Sequence, residues 1–211
     1  MALSLRGAGC YGAMVTSGLP DIETPRLILR SLPAAALAAL VAGDRALASR
    51  QAGCDLSDFR DDALAIAALR LNDLTADPDY LPWSLRAMLL KPDLMLVGHC
   101  NFHSKPGAAY LAEVAPDLAE LNAVELGYSV LPAFRRRGFA EEAAWGLMDW
   151  AGREHGVRRF VVSISPQNAA SVAMARKLGF ARISGHIDTE DGYEDILVKD
   201  WRPRGEDPRR S

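Results

Sequence analysis

Apolar residues in the second half of the chain change their spacing in a regular way. Val124–Val130 carries alternating and β-branched apolar positions and is stopped by Pro132, so it reads as a strand. Glu141–His155 places Ala144, Leu147, Met148 and Ala151 on one helical face, with Gly156 suited to the C-terminal cap. Phe160–Ile164 is again a β-branched run. Asn168–Leu178 is again helical, with Asn168 at the N-cap and Gly179 just past the end. Asp195–Val198 reads as a last short strand.

The first half is less regular. Arg26–Arg30 after Pro25 reads as a short strand, because proline forbids helix just before it. The Ala/Leu-rich run Ala34–Ala48 predicts one helix. Asp61–Leu74 predicts a second, with Leu64, Ala68 and Leu71 near the period of an apolar face. Leu94–Val97 is a strand bounded by Pro92 and Gly98, extending through His103 to the turn signal Lys105–Pro106–Gly107. Ala108–Leu121 carries no clear period. The order strand, two helices, strands, then strand–helix–strand–helix–strand implies a mixed α/β sheet with helices on both faces. Residues 22–201 are expected to form the domain, 1–21 a disordered leader with Met14 as an alternative start, and 202–211 a loose charged tail.

Composition narrows the function classes. At 211 residues the chain is long enough for one domain with a sizeable core, and at most two small ones. Its net charge of −3 gives no basic field for nucleic acid or an anionic membrane. No run approaches the roughly 20 apolar residues of a membrane span. The start, broken by glycines, is a poor signal peptide. Cys10, Cys54 and Cys100 form no disulfide framework, so a reducing, cytoplasmic compartment fits.

The chemistry concentrates in Val124–Ala140. A strand ends, a loop carries Arg135, Arg136, Arg137 and Gly138, and a helix opens at Phe139–Ala140. The first turn of a helix leaves N–H groups unpaired and partly positive, a ready anion site. Gly138 and the small Ala140 permit close approach of a phosphate, and the arginines supply charge. The competing reading is a solvated arginine surface. No Walker lysine and no GxGxxG is present, which weighs against a nucleotide-binding α/β protein.

This strand–RxxGxA–helix segment resembles the pyrophosphate loop of the GCN5-related N-acetyltransferase (GNAT) superfamily. A second block resembles the same family: Gly156–Arg159, then Asn168–Ser171, then Lys177–Leu178–Gly179–Phe180. Glu23–Leu27 and Val97–His103 add shorter matches. The likeness spans roughly Ile22 to Trp201 and is greatest to the ribosomal-protein N-terminal acetyltransferase branch. It implies a twisted, mostly antiparallel mixed sheet of about six or seven strands, with acetyl-CoA as cosubstrate and no metal. The acceptor implied is a primary amine of a small molecule or a peptide N-terminus, and a homodimer is the family-level expectation.

The resemblance also implies roles. Backbone groups of Val130 would hold the acetyl carbonyl and pantetheine arm, and Arg135–Ala140 the pyrophosphate. Glu125 is the candidate base, because a carboxylate in a central strand is expensive to bury without a reason; a partnered structural glutamate is the alternative. The usual acid, a tyrosine seven residues after the asparagine, is replaced by Ala175. Ser171 matches the serine of the related branch, or else it only caps its helix. Asn168 is an N-cap that by resemblance also reaches the CoA arm. His99, Cys100 and His103 do not form a zinc set, since strand parity turns Cys100 away. Tyr193, in the acidic Asp188–Asp195 turn, is a further candidate for reaching the site. The rival to an enzyme is a non-catalytic acetyl-CoA sensor or scaffold of the same fold.

Overall fold

Strand β5, Val124–Val130, is the axis of the molecule and has the boundaries that the apolar alternation predicts. The protein is represented by a computed structural model that describes residues 19–115, 118, 122–188 and 192–203. Most of the leader (1–18) and of the tail (204–211) lies outside the described residues, as do 189–191 in the acidic turn.

Eight strands form one sheet: β1 (Ile22–Glu23), β2 (Leu27–Ser31), β3 (Arg86–Leu90), β4 (Met95–Phe102), β5, β6 (Arg159–Ile164), β7 (Ala181–Asp188) and β8 (Gly192–Asp200). Their spatial order is β1-β2-β3-β4-β5-β6-β8-β7. Every pairing is antiparallel except β5 with β6. The strand count exceeds the expected six or seven. The additions are the very short β1 and two strands the pattern does not mark, β3 and β7. β3 is buried along nearly its whole length, so it lacks the alternation that marks a half-exposed strand.

The helices are α1 (Ala34–Val41), α2 (Arg45–Ala52), α3 (Leu64–Ala76), α4 (Tyr110–Val114), α5 (Phe139–Glu154) and α6 (Ala169–Leu178). The single helix expected over Ala34–Ala48 is two. Gly43 takes φ 81°, and the Asp44 side chain accepts the Leu47 N–H at 2.8 Å, starting a new helix. A short turn of 3-10 helix precedes α3, and another, Pro78–Trp83, follows it. In the unpatterned segment 108–121, α4 occupies the first part, and residues 116, 117 and 119–121 lie outside the described residues.

Both sheet faces are covered. Phe102, Leu126, Phe160 and Val162 belong to the main core with Ala144, Leu147 and Met148 of α5. Each such large side chain, fully buried, stabilises by about 1.5–3 kcal/mol. On the opposite face Leu111 of α4 packs with Leu118, Ala123, Val161 and Ile196. The α1–α3 layer covers that same face beyond β4, where Phe59 meets the His99 ring at 5.7 Å. Trp83 and Trp145 are both buried. Trp83 meets Phe102 edge-on, and Trp145 lies under the Lys199 ammonium at 5.0 Å.

Gly152 shows how tightly α5 sits. A Cβ added there would lie 2.4 Å from two Trp201 ring atoms. Alanine favours helix over glycine by about 1 kcal/mol, whereas overpacking costs about 1–3 kcal/mol. We therefore expect Gly152→Ala to lower the unfolding free energy by up to about 2 kcal/mol. Urea denaturation followed by tryptophan fluorescence measures it, and a stabilised variant would show that Trp201 moves aside freely.

Candidate active site

β5 loses one of its neighbours partway along. It pairs with β4 from Leu126 to Val130, but with β6 only at Val124 and Glu125. β6 instead follows β8 over its whole length. The bonds Glu125 C=O to the His103 N–H (2.9 Å) and Val97 C=O to the Leu131 N–H (2.9 Å) fix which residues face β4. By antiparallel alternation, the N–H and C=O groups of Leu126, Tyr128 and Val130 point to the side that β6 has left. The cleft opens there, with a volume of about 620 Å³.

The far wall is the start of α5. Gly138 takes φ 79° as its N-cap, and no side chain caps this end. Arg136 also has positive φ, 61°. The Arg135 Nε donates to the Val130 carbonyl at 3.0 Å, tying the loop to the strand end. Behind the loop, the Arg26 Nη1 donates to the Arg137 carbonyl at 3.0 Å. Its Nε donates to Glu142 at 2.6 Å, and its guanidinium lies 4.7 Å above the Phe139 ring. Glu142 accepts in addition from Thr24 and from the Arg26 N–H. The Thr24–Arg26 match at the domain start therefore holds the loop from behind.

The near wall is α6. The Asn168 Oδ1 accepts the Ser171 N–H at 3.1 Å, which leaves its amide NH₂ for the cleft. The cap therefore uses the backbone of Ser171 and the side chain of Asn168. The Ser171 side chain faces the cleft, whose lining it shares with Tyr128. Burial raises the Tyr128 pKa and Ser171 opposes it, so Tyr128 stays protonated at neutral pH. Lys177 bridges to Glu141 of α5 at 2.6 Å across the cleft. Ala175, where the usual tyrosine would stand, is buried.

Of the residues singled out in the sequence, Val130, Arg135, Arg136, Gly138, Phe139, Ala140, Asn168 and Ser171 line the cleft. Arg137 does not; its guanidinium lies 5.5 Å from the Phe134 ring. Glu125 stands where the splay begins, on the opposite face of β5. Tyr193 is turned away, accepting from the Arg182 Nη2 at 2.9 Å. Sequence reading missed Tyr128 and the company of Glu125. Strand parity, which sets Tyr128 opposite Glu125 in facing, was the available signal for the first. Nothing local signals the second.

Glu125 is nearly inaccessible. Its Oε2 accepts from the Tyr110 hydroxyl at 3.0 Å and lies 3.5 Å from the His103 Nδ1. Burial pushes this carboxyl up. His103 by hydrogen bond and charge, then the Ser163 and Tyr110 hydroxyls, outweigh that and hold it at about 2. His99, Asn101 and His103 alternate on the β4 side of the same face, opposite Ser129, Gly127 and Glu125. Cys100 points the other way and is buried; its thiol is pushed up to about 12. Among the described residues no three such side chains are placed to hold a metal, and no helix is long and apolar enough to cross a membrane.

A splayed mixed sheet opening onto an uncapped helix N-terminus defines a protein of the acetyltransferase class. The chain belongs to the acetyltransferase (GNAT) domain family, which matches residues 26–181. The uncharacterized N-acetyltransferase YnaD of Bacillus subtilis is 24% identical over 122 residues, 54% of this chain. That match spans 64% of YnaD, under two thirds of its length. Among solved structures, the ribosomal-protein-S5-alanine acetyltransferase of Vibrio fischeri is 15% identical with a TM-score of 0.58. The likeness covers 87% of this chain and 100% of that one. The microcin C7 self-immunity acetyltransferase MccE, solved with acetyl-CoA and AMP, is 15% identical with a TM-score of 0.54. There the coverage is 84% of this chain and 94% of that one. At these identities the structural likeness concerns the fold.

His99 makes this face of the sheet sensitive to acid. Burial lowers its pKa from 6.5 to about 4, with Asp62 opposing. Between those values the unfolded chain binds a proton that the folded chain refuses, so stability falls as pH drops from 6.5 to 4. In His99→Gln this slope should flatten. Denaturation midpoints at pH 7, 5.5 and 4.5 measure it, and an unchanged slope would place the acid sensitivity elsewhere.

Proposed function

We propose that this chain is an acetyl-CoA-dependent N-acetyltransferase that moves an acetyl group to a primary amine of a small molecule or a protein N-terminus by direct attack. The observation that carries this reading is the cleft itself, which joins the open edge of β5 to the uncapped start of α5. One wall suits an extended amide-bearing arm and the other a pyrophosphate. Family membership and the acetyl-CoA complex of MccE support the same assignment.

Acetyl-CoA, when bound, supplies an electrophilic thioester carbonyl. The chain supplies the rest. The first-turn N–H groups of α5, with Gly138, Arg135 and Arg136, hold the pyrophosphate. Backbone groups of Val130 and Tyr128 and the Asn168 amide hold the arm, and they position the carbonyl. Donors on this edge would favour the developing oxyanion. Glu125 provides the negative charge toward which the amine proton moves. The Ser171 hydroxyl, with Tyr128 in the same cleft lining, returns a proton to the departing thiolate. The buried thiols Cys54 and Cys100 fit a cytoplasmic setting.

Ala140→Asp tests the reading. The residue is helical, and an acid in the first turn of a helix is stabilising, so the fold should hold. Its carboxylate would stand where phosphate binds. Calorimetry should show acetyl-CoA binding weakened at least about tenfold, which is roughly 1.4 kcal/mol, with an unchanged or raised melting temperature. Equal affinity in a folded variant would move the phosphate site elsewhere.

The buried Ala175 favours a second reading, an acetyl-CoA sensor without turnover. Ser171→Ala bears on it. The cap survives, since it uses the Ser171 N–H, so melting temperature should barely move. Turnover should fall on the order of 10²-fold, the lower end for proton-transfer groups. Steady-state rates on an amine panel measure this. Full activity would leave water as the proton source, and a parent that binds acetyl-CoA but never releases CoA is the sensor.

A further inference from the structure

We infer that the imidazole of His103, rather than the carboxylate of Glu125, accepts the proton of the incoming amine, with Glu125 acting through it. The inference rests on the acetyl-transfer reading above and names the group that meets the acceptor.

The first argument is access. The Glu125 side chain is 6% exposed and the His103 side chain 39%. The Tyr110 hydroxyl donates to the carboxylate at 3.0 Å, and Ser163 adds to holding it ionised. A solvent-borne ammonium therefore meets the imidazole first. A carboxylate stabilised this strongly as an anion also has little pull on an amine proton by itself.

The second argument is orientation. His103 lies directly across the strand pair from Glu125, its N–H bonded to the Glu125 carbonyl at 2.9 Å. The ring Nδ1 faces the Glu125 Oε2 at 3.5 Å. The other nitrogen, Nε2, lies over Gly127: a Cβ added to that glycine would be 2.7 Å from it. Gly127 is in the stretch of β5 that β6 has left. One nitrogen is thus turned to the carboxylate and the other to the strand bordering the cleft. A carboxylate on one imidazole nitrogen sets the tautomer and frees the other as acceptor.

The third argument is fixation. The Arg70 Nη1 donates to the His103 carbonyl at 2.8 Å. Arg70 is itself held by Asp73 and by the Tyr80 hydroxyl. The charged and titratable groups around the ring are Glu125 from β5 and Tyr110 from α4. Arg70 and Asp73 come from α3, and Tyr80 from the turn after it. Lys105 pairs with Asp77 at 2.5 Å nearby.

The step balances. A proton passes from the ammonium nitrogen to Nε2, and the freed lone pair makes the amine nucleophilic. The Nδ1–H remains on the Glu125 side, so the resulting imidazolium faces a carboxylate. It then returns the proton to solvent.

Nitrogen-15 NMR of the ligand-free protein gives a readout apart from activity. Neutral His103 should carry its proton on Nδ1, and an Nε2–H tautomer would overturn the inference. In steady state, His103→Gln should bind acetyl-CoA like the parent. Its kcat should fall on the order of 10²–10³-fold, within the range for acid–base groups, and the acid limb of its pH–rate profile should vanish. Imidazole added to His103→Ala should restore part of the rate. Gly127→Ala, which pushes on Nε2, should lower kcat in the same direction. A variant that keeps the parent kcat and pH profile overturns the role of His103 while acetyl transfer stands. A parent that acetylates no amine overturns the reading beneath it as well.

Discussion

The structure depends on a backbone requirement. Every N–H and C=O in a buried strand needs a partner, and β5 has two neighbouring strands only as far as Glu125. Beyond that residue β6 keeps company with β8, so one edge of β5 is left open inside the molecule. A buried open edge is costly unless something else occupies it. Here it borders a cleft, and one of its carbonyls, that of Val130, is taken by the Arg135 side chain. The first-turn N–H groups of α5, an end that no side chain caps, face the same space. Two incomplete hydrogen-bonding systems thus share one cavity, which is why the cleft suits an extended ligand with an anionic end.

Charge is sorted along the same strand. Val130 lies five steps along the strand from Glu125, roughly 17 Å at 3.3 Å per residue. The anionic, hydroxyl-rich pocket lies at one end of this run and on one face. The arginine-bearing loop lies at the other end. Holding Glu125 ionised in a buried site requires compensation, which His103, Ser163 and Tyr110 provide. Those partners come from the residue just after β4, from β6 and from α4, so the surroundings of Glu125 are assembled from elements on both sides of the splay. The loop side is largely local, spanning the end of β5 and the start of α5, with Arg26 and Glu142 bracing it from behind.

Legibility in the sequence followed the range of the forces. β5, α5 and α6 have strong periodicity and local caps, and their positions were readable to within a residue or two. The break between α1 and α2 was not. A run rich in alanine and leucine hides the fact that Gly43 and Asp44 together stop one helix and start the next. β3 and β7 escaped for opposite reasons. β3 is buried on both faces and lacks alternation, whereas β7 is an edge strand with exposed Ile183 and Ile187 that owes its shape to pairing with β8.

By itself, then, the sequence determined the strand–loop–helix that opens the cleft and the Asn168 cap. Each is settled by bonds between residues a few positions apart, and local chemistry suffices to read such bonds. Tertiary structure decided what those residues face. It set Arg137 over the Phe134 ring, and it brought Ser171 and Tyr128 from different elements to one cleft. Above all, it surrounded Glu125 with His103, Tyr110 and Ser163, residues 15 to 38 positions away in the chain. No spacing rule encodes that company. It follows from strand register and from the way β6 leaves β5, and both are properties of the whole sheet.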